Sequence, residues 1–124
     1  MKFDENESIL AFIDGNDTIG VFDVLDWNIK YRIKPHTKSI TDFALTFDVI
    51  YSVSKDRKVC KIDNGTVVNK KVVDDTSDPL CIQVLEEFII VAMDTHQICI
   101  LNPETLLCRR LLSCVGLPKV IYCL

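Results

Sequence analysis

The residue pattern points to an all-β chain, a β-propeller of about three four-stranded blades in an incomplete ring, forming one domain over positions 1–124. An eight-residue signature recurs three times, at Asn16 to Asp23, Asp56 to Asp63 and Thr95 to Asn102. Asp23 to Asp63 is 40 positions and Asp63 to Asn102 is 39. A period near this value is what four-stranded blades give, because each repeat is one supersecondary unit stacked on the next. Between the signatures, short apolar runs alternate and break as strands do. No helix-period segment and no long linker interrupts them.

In the first unit (1–36), Ile9 to Ile13 is an apolar run and Asp14-Gly15-Asn16-Asp17 a strong turn. Ile19 to Val24 is the next strand, and Ile29 to Ile33 alternates apolar and basic residues. The second unit (37–76) is the most complete. Ser39 to Leu45 is its innermost strand, Val49 to Val53 follows, and Lys55-Asp56-Arg57 turns into Val59 to Ile62. Asn64-Gly65 then makes a tight hairpin turn, and Val67 to Val73 closes the blade. The third unit (77–115) repeats the plan with Leu80 to Leu85, Phe88 to Met93, Gln97 to Leu101 and Leu106 to Leu112. Only a stub precedes the first apolar strand, so unit one is expected to lack most of its innermost strand. Lys119 to Leu124 reads as the innermost strand of a fourth unit.

Composition sets outer limits on function. A chain of 124 residues has room for one domain and a modest core. The net charge of -4 argues against whole-surface attraction to nucleic acid or anionic lipid. Met1 to Glu7 is acidic and lacks the apolar core of a secretory signal. No apolar run reaches the roughly 18–20 residues that span a bilayer. The expectation is an intracellular protein, nuclear, nucleolar or cytoplasmic, with no membrane contact. Its six cysteines (Cys60, Cys81, Cys99, Cys108, Cys114, Cys123) are then expected to be free thiols. No C-x-x-C pair occurs, so no metal site and no other cofactor is expected.

These residues resemble a WD-repeat β-propeller along essentially the whole chain. His36 stands where that family places the histidine of its glycine-histidine pair, and Ser52, Asp56 and Ile62 fall at the serine, turn-aspartate and tryptophan positions. The resemblance implies a hydrogen-bonded structural staple of His36, Ser52 and Asp56, with Ile62 in place of the aromatic. Phe22-Asp23 and Leu101-Asn102 stand at the Trp-Asp dipeptide in units one and three. A narrower likeness runs from Gly20 through Trp27-Asn28 to Ile33-Lys34-Pro35-His36-Thr37-Lys38, with Ser52 to Arg57 fitting the segment that follows. It is similar to the PAK-interacting WD-repeat type of ribosome-assembly factor. That resemblance implies a nucleolar scaffold in maturation of the large ribosomal subunit.

Each candidate site has a bland reading beside the sharp one. His36, Ser52 and Asp56 could be a nucleophilic triad, but the serine lies mid-strand without the elbow that exposes a nucleophile, and the staple accounts for the same residues. His96 sits on a loop near Asp94 and Cys99 with no recognisable ligand spacing, as a solvated turn residue would. Asn64-Gly65-Thr66 fits a glycosylation pattern and equally a hairpin turn. Lys30, Arg32, Lys34, His36 and Lys38 fall on one outer strand and its loop, and Lys55, Arg57, Lys58 and Lys61 belong to the adjoining blade. They form either a solvated face or a positive patch for an acidic partner or RNA phosphates. Asp74, Asp75 and Asp78 make the neighbourhood mixed in charge. Trp27 is either an exposed interaction anchor or a cover for the blade's outer edge.

Three blades leave two open blade faces. At about 25 cal/mol per Å², a face of roughly 500 Å² is worth on the order of 10 kcal/mol, comparable with a domain's whole stability of roughly 5–15 kcal/mol. Ring completion by self-association or by a partner chain is therefore expected, as is the alternative that the chain is part of a longer propeller. The function this suggests is a non-enzymatic scaffold docking other proteins, with RNA as a further candidate, in a large assembly such as ribosome biogenesis. Its contact residues are expected among Trp27, Lys34, His36, Lys38, Lys55, Arg57, Lys58 and His96. The alternatives are an adaptor in ubiquitin, trafficking or signalling complexes, and an enzyme using His36 or a cysteine such as Cys114.

Overall fold

A computed structural model describes residues 2–3, 8–46, 49–73, 77–95 and 97–113, with side chains as far as residue 108. Twelve strands and no helix are found among them. Strands β1 (Lys2–Phe3), β2 (Ile9–Asp14), β3 (Thr18–Asp23) and β4 (Asn28–Ile33) make sheet one. Strands β5 (Ile40–Thr46), β6 (Val49–Ser54), β7 (Lys58–Asp63) and β8 (Thr66–Val72) make sheet two. Sheet three holds β9 (Pro79–Val84), β10 (Ile89–Met93), β11 (Gln97–Leu101) and β12 (Cys108–Ser113). Every pairing is antiparallel between consecutive strands, so each sheet is a simple meander. The strands fall on the expected runs within one or two residues, and the first of sheet one is the two-residue stub β1. Positions 119–124, read as a fourth unit, lie outside the described residues.

The repeat signature ends at the turn between the third and fourth strands. Asp23 Oδ1 accepts the amides of Leu25 (2.9 Å) and Asp26 (3.2 Å). Asn102 Oδ1 accepts those of Glu104 (2.8 Å) and Thr105 (3.2 Å). In both turns the fourth residue onward is left-handed, Trp27 at φ 57° and Leu106 at φ 60°. A short carboxylate or amide side chain closes such a turn on its own backbone, which gives Asp or Asn at that position a physical reason. Sheet two makes the same connection with two residues, Asn64 (φ 49°) and Gly65 (φ 84°), the left-handed pair that a tight hairpin requires.

The first strands adjoin, β1 beside β5 and β5 beside β9. Asp42 on β5 ties them together: Oδ2 accepts the Ile82 amide of β9 at 3.0 Å, and Oδ1 lies 3.4 Å from Lys2 Nζ of β1. Lys2 also donates to the Phe43 carbonyl. Two apolar cores fill the gaps between sheets. Ile9, Ala11, Ile19 and Val21 of sheet one meet Ile50, Cys60 and Ile62 of sheet two. Tyr51, Val53 and Val59 of sheet two meet Ile89, Val91, Met93 and Leu101 of sheet three. Successive strand side chains point to opposite faces, so β6 is buried on both sides from Ile50 to Ser54. The three sheets are separate ladders and no closure joins the third to the first among the described residues.

One expectation is corrected. Cys81 on β9 is disulfide-bonded, so the six cysteines are not all free thiols. Pairing depends on which strands the fold brings side by side, and no local spacing announces it.

Candidate functional site

The connection from β4 to β5 carries Pro35 and His36, and both are buried. His36 lies across two elements of sheet two. Its Nε2 is 2.8 Å from Ser52 Oγ on β6, and its Nδ1 is 3.1 Å from both carboxylate oxygens of Asp56 in the β6–β7 turn. A neutral ring with its proton on Nδ1 donates to Asp56 and accepts the Ser52 hydroxyl. Asp56 also accepts the amides of Thr37 (3.1 Å) and Lys58 (3.0 Å). Around this line the connection is fastened further, because Pro35 O accepts Lys70 Nζ at 2.6 Å and Cys60 Sγ at 3.4 Å. Ser54 Oγ donates to Lys38 O at 3.1 Å and accepts the Asp56 amide at 3.1 Å. No buried side-chain polar atom among the described residues is left without a partner.

Electrostatics follow from this burial. Desolvation drives the His36 ring below the 6.5 of an ordinary histidine, against the opposing pull of the Asp56 charge. Burial alone pushes the Asp56 carboxyl up, but the His36 ring and the Thr37 and Lys58 amides outweigh it and hold it below its usual 3.8. Burial pushes the Cys60 thiol up to about 11. Such a thiol stays protonated at neutral pH and is a poor nucleophile. Ser52 and the His36 side chain are fully buried, so no substrate atom reaches the hydroxyl.

Outside this buried line lies an open cleft of about 480 Å³, lined by Thr37, Lys38, Lys55, Asp56, Arg57, Lys58 and Asp78. Four cations face two carboxylates there. Both carboxylates are engaged, Asp56 as above and Asp78 by Arg57 Nε at 3.0 Å. No hydrogen bond or ion pair engages the ammonium groups of Lys38, Lys55 or Lys58 among the described residues. Arg57 adopts a left-handed backbone (φ 66°) in the β6–β7 turn, and its side chain reaches Asp78, just ahead of β9.

The other expected contact residues are distributed differently. Lys34 pairs with Asp17 at 3.1 Å and Arg32 with Asp14 at 3.2 Å, both on sheet one. Lys61 lies over the Tyr51 ring at 5.8 Å. Arg32 and Lys34 are thus paired on sheet one, Lys38, Lys55, Arg57 and Lys58 gather at the cleft, and Lys61 belongs to neither set. Trp27 stands on sheet one with its ring edge-on to Phe22, centroids 6.1 Å apart. His96, Asp74, Asp75 and Cys114 lie outside the described residues. Thr37 lines the cleft with the lysines, within the Pro35 to Lys38 loop that the sequence offers for contact. No group of three or more His, Cys, Asp or Glu placed to hold a metal occurs among the described residues.

No protein-family model matches the chain, and no curated protein matches it.

Proposed function

We propose that the chain is a non-enzymatic scaffold of WD-repeat propeller type, docking an acidic protein partner through the Thr37–Lys58–Asp78 cleft within a larger assembly. One observation carries this reading: His36, Ser52 and Cys60 are buried in the sheet, while Lys38, Lys55 and Lys58, with no ion-pair partner among the described residues, gather at one open cleft. The buried His36–Ser52–Asp56 line matches the staple implied by the WD-repeat resemblance, and the 40- and 39-residue spacing of the three meanders supports blades. Large-subunit ribosome assembly is the setting that the similarity to the PAK-interacting type suggests.

A protein partner is favoured over RNA by the charge layout. Binding a polynucleotide takes cations tracking several successive phosphates. Here Arg32, Lys34 and Arg57 are matched by carboxylates, and the net charge is -4. Point-charge lysines around one compact cleft suit a run of carboxylates.

Sedimentation of the tagged chain from cell extract tests the assembly reading. Migration with large ribosomal precursors is expected, and its loss in Lys38→Glu/Lys55→Glu/Lys58→Glu with circular dichroism unchanged. Sedimentation at the position of the isolated chain in both forms contradicts the proposal.

A further inference from the structure

One face of sheet one is the counterpart of surfaces buried elsewhere in the same chain. The 40-residue repeat carries Ile50, Ser52, Cys60 and Ile62 of sheet two onto Leu10, Phe12, Gly20 and Phe22 of sheet one. The 39-residue repeat carries them onto Ile89, Val91, Cys99 and Leu101 of sheet three. In sheets two and three, all eight are at most 1% exposed, packed toward the preceding sheet. On sheet one, Leu10, Phe12 and Phe22 are only half-buried, and no sheet precedes them among the described residues.

The turn after the third strand tells the same story. Leu106 is 1% exposed, in the core between sheets two and three, whereas Trp27 at the matching position is 76% exposed. The Leu106 turn is fastened onto sheet two: the Tyr51 hydroxyl donates to Pro103 O at 3.3 Å, and Asn69 Nδ2 to Glu104 O (3.3 Å) and Thr105 O (3.1 Å). Sheet two's own turn sits on sheet one in the same way. There the Tyr31 ring lies so close to Gly65 that an added Cβ would stand 3.1 Å from it. The Trp27 turn has the same closed form and its left-handed residue, with no sheet beneath it among the described residues.

We propose that the face formed by Leu10, Phe12, Phe22 and Trp27 docks sheet three of a second copy of this chain, an inference that rests on the propeller reading. The far side of sheet three supplies the matching surface. Ile90, Ala92, Ile98 and Ile100 stand at the positions of Tyr51, Val53, Val59 and Lys61, the sheet-two residues on the side that receives sheet three. On sheet three that set is wholly apolar. Two copies arranged about a twofold axis place each first sheet against the other's third. Six sheets result, within the four to eight that close a propeller. Both end faces are then covered, and the closed symmetry stops further growth.

Trp27 is the only tryptophan in the sequence, so its emission reads this face alone. Light scattering is expected to give twice the chain mass of 14.1 kDa, with the emission moving to the blue as concentration drives association. Trp27→Arg is expected to give a folded species of single-chain mass, because the removed side chain is largely exposed within one copy. If that variant does not fold, the dilution series of Trp27 emission in the unaltered chain decides alone. Single-chain mass with red emission at every concentration overturns the proposal, as does an unaltered dimer of Trp27→Arg. A monomer that still loses its ribosomal-precursor sedimentation in the lysine variant sinks this inference and leaves the scaffold reading standing.

Discussion

Replacing Ser52 by alanine removes the donor to His36 Nε2, leaving a buried acceptor unpaired at a cost of about 1–3 kcal/mol. Equilibrium unfolding is expected to show that loss without a change of fold. Asp56→Ala is expected to cost more, since it strands the His36 Nδ1 proton and the Thr37 and Lys58 amides together. The same residues set the pH response. A histidine depressed below 6.5 in the folded chain takes up its proton first in the unfolded chain. Stability is therefore whole above pH 6.5 and falls as the pH drops below it. Asp56, held below 3.8, adds a second loss only as the pH falls below that value. Thermal melts at descending pH are expected to fall in those two stages, and His36→Gln to lose the first. Cys60 is expected to stay unreactive to a thiol reagent at neutral pH until the chain unfolds, and rapid labelling in the native state would contradict its burial.

At the scale of the elements, turn chemistry governs the meanders. Gly65→Ala forces a side chain into a left-handed turn and against the Tyr31 ring, with an expected loss of about 1–2 kcal/mol in unfolding experiments. Gly20→Ala meets the Phe12 ring at 2.4 Å and moves that ring outward, which shows as a change in the Trp27 face and not in the cleft. The strands were legible from the sequence because their apolar runs and turn residues are local, and the signature's final Asp or Asn because it closes a local turn. His36, Ser52 and Asp56 were legible as a set through the WD-repeat resemblance, since His36 ends one unit and Ser52 and Asp56 lie in the next. Three features were not. Whether a lysine is paired depends on which carboxylate a neighbouring strand presents, so Lys34 read the same as Lys38. The role of Asp42 in joining β1, β5 and β9 requires the packing of three sheets, and no local spacing announces the Cys81 disulfide.

The molecule as a whole joins a rigid, buried polar line to an open charged cleft a few residues away. The burial that silences Ser52 and Cys60 as nucleophiles also fixes the loop that carries Thr37 and Lys38. The cleft is therefore presented on a fastened frame, which lowers the ordering cost of binding. The central claim is that this cleft recognises carboxylates. Fluorescence anisotropy of a labelled peptide of alternating Asp and Glu, titrated with the chain at low ionic strength, tests it most directly. Saturable binding is expected, weakening with added salt and falling at least about tenfold in Lys38→Glu/Lys55→Glu/Lys58→Glu. Equal affinity of the variant and the unaltered chain, or no binding by either, contradicts it.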